Sequence, residues 1–110
     1  MIYEVYQKND LLLDLQLQDE NGDDINLQGA DIYFKVVEGN TVHFIKNLED
    51  GITVTNASEG KMEVNITADD TDIDAGRYSY ELLVIDELNN RYTAKQNGFR
   101  ILKSYTTEVG

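Results

Sequence analysis

Leucine occupies every odd position from Leu11 to Leu17, with Leu12, Asp14 and Gln16 between. A period of two is the mark of extended chain, because successive side chains leave a strand on opposite faces. The same alternation returns in Ile32, Phe34 and Val36 around Tyr33 and Lys35, and in Met62, Val64 and Ile66 around Glu63 and Asn65. Each set predicts a strand with one buried face. Shorter candidates run through Ile2 to Tyr6, Val42 to Lys46, Ile52 to Thr55, Arg91 to Lys95 and Phe99 to Lys103, and a longer one from Arg77 to Ile85. That makes about nine strands, a count that favours a sandwich or small barrel over any α/β design. Turn chemistry separates them at Asn21-Gly22, Gly39-Asn40, Glu59-Gly60 and Asn89-Asn90, and Asn21-Gly22 suits a tight hairpin with positive φ at both residues. No segment carries a helical period, although Ala68 to Ala75 has room for one turn capped by Asp69 or Asp70. With no repeat, linker or low-complexity tract, one domain over residues 1–110 is expected.

Six apolar residues break the pattern. If the main set faces inward, Tyr33, Val37, Ile45, Leu83, Ile85 and Leu102 face outward. They predict a second apolar surface, covered by the chain itself or by a partner, since contiguous apolar patches mark interaction sites. A charge placed at Leu83 or Ile85 is expected to abolish assembly and leave the monomer folded.

Charge narrows the choice of partner. Against 21 acidic side chains stand 9 basic ones, for a formal net charge of -12, which repels phosphate backbones and anionic lipid surfaces. Neither nucleic acid nor a membrane is expected as partner. The stretch from Asp10 to Asp31 holds seven acids and no base, whereas Arg91, Lys95, Arg100 and Lys103 lie near the end. No apolar run approaches membrane-spanning length, and the absence of cysteine suits a reducing cytosol.

Candidates for chemistry are few. Asp19, Asn21 and Asp23 have the spacing of early calcium ligands, but Asp24 and Ala30 stand where such a loop needs glycine and glutamate. Asp70, Asp72 and Asp74 alternate similarly, with glycine displaced to Gly76. No metal and no cofactor are expected. His43, the only histidine, lies between Val42 and Phe44 and reads as a surface residue pointing away from the core set, with no cysteine nucleophile and no G-x-S-x-G. The chain therefore reads as no enzyme, with no catalytic residue. A sugar-binding accessory domain would need an exposed aromatic platform, for which Tyr3, Tyr6, Tyr33, Tyr92 and Tyr105 are the candidates. The sequons at Asn56 and Asn65 matter only in a eukaryotic secretory setting.

The segment Asp74-Ala75-Gly76-Arg77-Tyr78-Ser79-Tyr80 resembles the D-x-G-x-Y-x-C signature that opens the F strand of immunoglobulin domains, with Tyr80 in place of the cysteine. That resemblance implies an all-β fold, an immunoglobulin-like antiparallel β-sandwich of about seven to nine strands. It also implies a structural corner of Asp74, Gly76 and Tyr78, the tyrosine hydroxyl bonding back to upstream backbone. Over nearly its whole length the chain is similar to the N-terminal immunoglobulin-like domain of phage baseplate upper proteins and related small tail proteins. Asp19-Glu20-Asn21-Gly22, Ile25-Asn26-Leu27-Gln28-Gly29-Ala30 and the Ile32, Phe34, Val36 strand follow the family's D-x-x-G, I-x-L-x-G-A and V-x-F-x-V order. Gly76-Arg77-Tyr78-Ser79-Tyr80-Glu81-Leu82 and Gly98-Phe99-Arg100-Ile101 match its endings. What the resemblance implies is a virion structural protein, made in the bacterial cytoplasm and docked in many copies onto other tail or baseplate subunits. The chain stops at Gly110 without the long region that follows this domain in baseplate upper proteins, so a free-standing small tail or head-decoration protein and a fragment both stay open. A bacterial surface or adhesin-type module recognising a host protein or glycan is the alternative.

Overall fold

The computed structural model describes residues 2–104. Eight strands form: β1 (Tyr3–Tyr6), β2 (Leu11–Gln16), β3 (Asp31–Glu38), β4 (Thr41–Asn47), β5 (Ile52–Asn56), β6 (Lys61–Ile66), β7 (Gly76–Ile85) and β8 (Arg91–Leu102). They make two sheets, ordered β1-β8-β7-β3-β4 and β2-β6-β5. Every pairing is antiparallel except that of β1 with β8. In immunoglobulin letters the sheets read G-F-C-C′ for β8-β7-β3-β4 and B-E-D for β2-β6-β5, which is the connectivity of that sandwich. The fold is an all-β immunoglobulin-like sandwich. No helix among the described residues is long and apolar enough to cross a membrane.

The core is the alternation seen in the sequence. Leu13, Leu15, Leu17, Met62, Val64 and Ile66 face Ile32, Phe34, Val36, Tyr80, Leu82, Val84, Phe99 and Ile101, all buried in one cluster. Phe34 stacks on Tyr80 at 5.3 Å between centroids and meets Phe99 edge-on at 6.4 Å. Tyr80 thus fills with ring area the place where a cysteine would bridge the sheets.

Three local expectations are corrected. Arg91 to Lys95 and Phe99 to Lys103 belong to one strand, because β7 pairs along almost the whole of β8, straight through Asn97 and Gly98. Asn21-Gly22 does form a tight turn, closed by an antiparallel bridge between Gln18 and Asp24, but it joins no two strands of one sheet, since β2 and β3 lie in different sheets, and only Gly22 has positive φ, at 84°. The single turn after β6 is capped by Thr67. Its hydroxyl accepts from the Asp70 N–H while the Asp70 carboxylate accepts from the Thr67 N–H, a reciprocal capping box in which Asp70 is the returning acid. The other turns follow their chemistry. Gly39, φ 59°, supplies the positive φ of the two-residue β3–β4 loop. In the β7–β8 turn Asn89 takes φ 66°, and the Asp86 carboxylate accepts the N–H groups of Asn90 and Leu88, which holds its pKa below the ordinary 3.8.

Candidate docking surface

The five-stranded sheet has an inner face on the core and an outer face with no layer over it. Register decides what the outer face shows. Tyr33 stands opposite Leu83 on one side and Asn47 on the other; Lys35 stands between Glu81 and Ile45; Ile85 is opposite Asp31, and Val37 is opposite Val42. Tyr33, Ile45, Leu83 and Ile85 therefore gather at one end of the sheet, with Val37 and the exposed Val42 further along. Leu102 is on the same face but at the far end of β8, opposite the exposed Tyr6. The six residues point outward together, and the structure splits them into a main patch and a remote member.

Their exposures differ, and this changes the test. Ile45 is 42% exposed, whereas Leu83 is only 6% exposed although it stands outside the core cluster. A charge at Leu83 would be buried against its own sheet, at a cost to folding that would obscure any effect on assembly. Ile45 is the position where the surface can be changed alone.

Two polar side chains sit where the sequence pattern did not place them. Val36 pairs with Phe44 and Val37 with Val42, so His43 is the extra residue of a bulge. Bulges re-aim side chains. The His43 ring turns in, edge-on to Tyr78 at 4.9 Å, with Nε2 3.5 Å from Glu38 Oε1 and no hydrogen bond formed. His43 is half-buried, not the outward surface residue expected. Lys46, beyond Phe44 on the inner side of β4, is 4% exposed and ion-paired to Asp70 at 2.5 Å, with Asp50 at 3.7 Å. That pair fastens the outermost strand of the large sheet to the turn between β6 and β7.

Tyr78 stands where its motif places it. Its ring is buried and its hydroxyl donates to the Asp74 carbonyl oxygen at 2.5 Å, four residues upstream. Burial, then the charges of Glu38 and Asp74, raise its pKa above 10.0. Gly76, between them, opens β7.

The acidic loops are used internally. Asp19 Oδ1 accepts the N–H groups of Asn21 and Asp23, Asp24 Oδ1 accepts from the side-chain amides of Gln16 and Gln18, and Asp70 is held by Thr67 and Lys46. Among the described residues no three acids or histidines converge on a point where a metal could sit. Of the aromatic platform, Tyr3 packs against Tyr80 at 5.2 Å and Tyr33 is half-buried, so Tyr6 alone stands well exposed; the Tyr92 side chain and Tyr105 lie outside the described residues.

The class defined by this arrangement is an immunoglobulin-like β-sandwich with an apolar patch at one end of its outer face. No family model matches the chain, and no curated protein does. Among solved structures it is similar to AggA, the major subunit of aggregative adherence fimbriae type I from Escherichia coli, at 9% identity and a TM-score of 0.36, over 94% of this chain and 89% of that one. A likeness at that level assigns no function.

Proposed function

We propose that this chain is a non-catalytic immunoglobulin-like module that docks onto other proteins through the outer face of its five-stranded sheet. The observation that carries the reading is the patch of exposed Ile45 and half-buried Tyr33 and Ile85, gathered around the buried Leu83 on a sheet face that no layer of the chain covers. The charge of -12 supports a protein partner over a phosphate-bearing one.

Two settings accommodate such a module. A bacterial surface or adhesin-type assembly asks only for a sandwich with a binding face. A phage tail or baseplate, with many copies beside other tail subunits, is supported by the order of motifs from Asp19-Glu20-Asn21-Gly22 to Gly98-Phe99-Arg100-Ile101. Neighbouring genes for tail proteins would favour the second; a secretion signal or wall anchor on a longer precursor would favour the first.

The docking face is tested by sedimentation velocity on the wild type and Ile45→Glu. Wild-type protein is expected to self-associate, and the variant to sediment as a folded monomer. Identical profiles for the two would remove this face from the assembly contacts.

A further inference from the structure

The small sheet has a vacant place beside β2. In the immunoglobulin order A-B-E-D a strand lies next to B; here β2 holds the B position and β1 pairs with β8 instead. Leu17 donates its N–H to the Gly60 carbonyl across the line of the β2–β6 register, so odd-numbered residues of β2 bond toward β6. The period of two then turns the N–H and C=O groups of Leu12, Asp14 and Gln16 to the open side, and among the described residues they have no partner. The only protection this edge carries is the outward charge of Asp14, with no charge turned inward. The edge has no proline and no bulge, and its six register pairs with β6 are uninterrupted. By contrast β4 is bulged with a lysine turned inward, and β5 is short and irregular.

Below the same edge the sandwich is open. A groove of about 490 Å³ runs between β2 and the first sheet, with Leu12 and Asp14 on one side, Tyr3, Gln96 and Asn97 on the other, and the buried Leu13, Leu15 and Tyr80 as its floor. On the outer face, Asp14 stands directly opposite Glu63, a like-charge pair that costs the β2–β6 ladder stability. The vacant place is on the other side of Asp14, within a stretch of seven acids and no base.

We infer that the open edge of β2 binds an extended segment of a partner protein as an added strand, with apolar residues alternating with lysine or arginine. The ladder groups of Leu12, Asp14 and Gln16 supply the main-chain bonds. The apolar side chains of the segment enter the groove over Tyr3 and Tyr80, and its cations stand beside Asp14, where they offset Glu63. The occupant is a basic partner and not a second copy, because two β2 edges would bring together two acidic stretches without a base. The inference shares with the docking reading only the idea that the chain binds proteins, and uses a different surface.

The probe is a synthetic peptide alternating valine and lysine over about seven residues, a usual strand length. Its control alternates valine and glutamate. Amide hydrogen exchange is expected to show new protection at Leu12, Asp14 and Gln16 with the lysine peptide alone. Asp14→Pro removes an edge N–H that β6 does not use, and should abolish that protection with the core amides unchanged. Asp14→Lys keeps every main-chain group and should weaken the peptide about five-fold at low salt; it decides the matter if the proline variant fails to fold. Ile45→Glu should leave peptide binding intact, so that loss of assembly and loss of peptide binding report on separate surfaces. Protection at β1, β4 or β5 instead, equal binding of the glutamate peptide, or β2 amides protected by self-association alone would overturn the inference.

Discussion

Removing one oxygen from Tyr78 separates its two roles. Tyr78→Phe keeps the ring against His43 and the core and deletes the bond to the Asp74 carbonyl. The expected loss is about 1 kcal/mol, the usual net value of one hydrogen bond, read as a lower urea midpoint; an unchanged midpoint would show that the corner bond adds nothing. The same variant has a pH signature. A group whose folded pKa is raised contributes stability that is fully present below its unfolded value, here 10.0, and is lost as pH rises through the folded one. Tyr80 is raised by burial as well, so the wild type should weaken steeply in thermal melts above about pH 10. Tyr78→Phe should weaken less over that range, and parallel curves would sever the corner from the alkaline transition. This corner was legible because donor and acceptor are four residues apart within one motif. His43 was not: its direction is set by a bulge against β3, and nothing in Val42-His43-Phe44 says which residue will be left unpaired.

At the scale of elements, alternation located the strands and left their pairing undetermined. Leu13, Leu15, Met62, Val64, Ile32 and Phe34 are all buried as their period implied. Whether Arg91 to Lys95 and Phe99 to Lys103 were one strand or two depended on a partner about fifteen residues earlier in the chain, which no local pattern encodes. The patch was half legible for the same reason. Parity showed that six residues face outward, while only register could separate Leu102 from the others and reveal that Leu83 is covered. Turns offer a sharper test. Gly39 and Gly60 have similar positive φ, 59° and 69°, but a Cβ at Gly39 would meet open space, and one at Gly60 would fall 2.6 Å from the Leu17 carbonyl oxygen and 2.8 Å from that of Ile25. Gly39→Ala should therefore cost about 1 kcal/mol, from backbone strain alone. Gly60→Ala should cost about 3 kcal/mol, because the crossing from β2 must also shift. Equal urea midpoints for the two variants would mean that this crossing yields freely.

For the molecule as a whole, charge sets a condition that the individual contacts do not reveal. A net charge of -12 is carried on a body of 46 × 28 × 23 Å, so at low salt, where screening reaches about 30 Å, most acids feel most others. Three ion pairs among the described residues illustrate how little salt-sensitive attraction stands against this. Arg100–Glu4 and Lys61–Glu59 are exposed and worth little, and Lys46–Asp70 is too buried for salt to alter much. Repulsion is thus the part of the balance that salt can change, and screening should stabilise the fold. Between about 0.01 M and 0.3 M sodium chloride the Tm is expected to rise by about 3–5 °C, the shift that roughly 1 kcal/mol makes in a chain of this size. Glu63→Gln removes the acid facing Asp14 across the β2–β6 ladder. It should raise the low-salt Tm and flatten the salt dependence, because part of the repulsion being screened is gone. A Tm that fell with salt would mean that attraction between exposed pairs outweighs repulsion. It would also remove the unfavourable charge beside β2 that a basic strand is inferred to relieve.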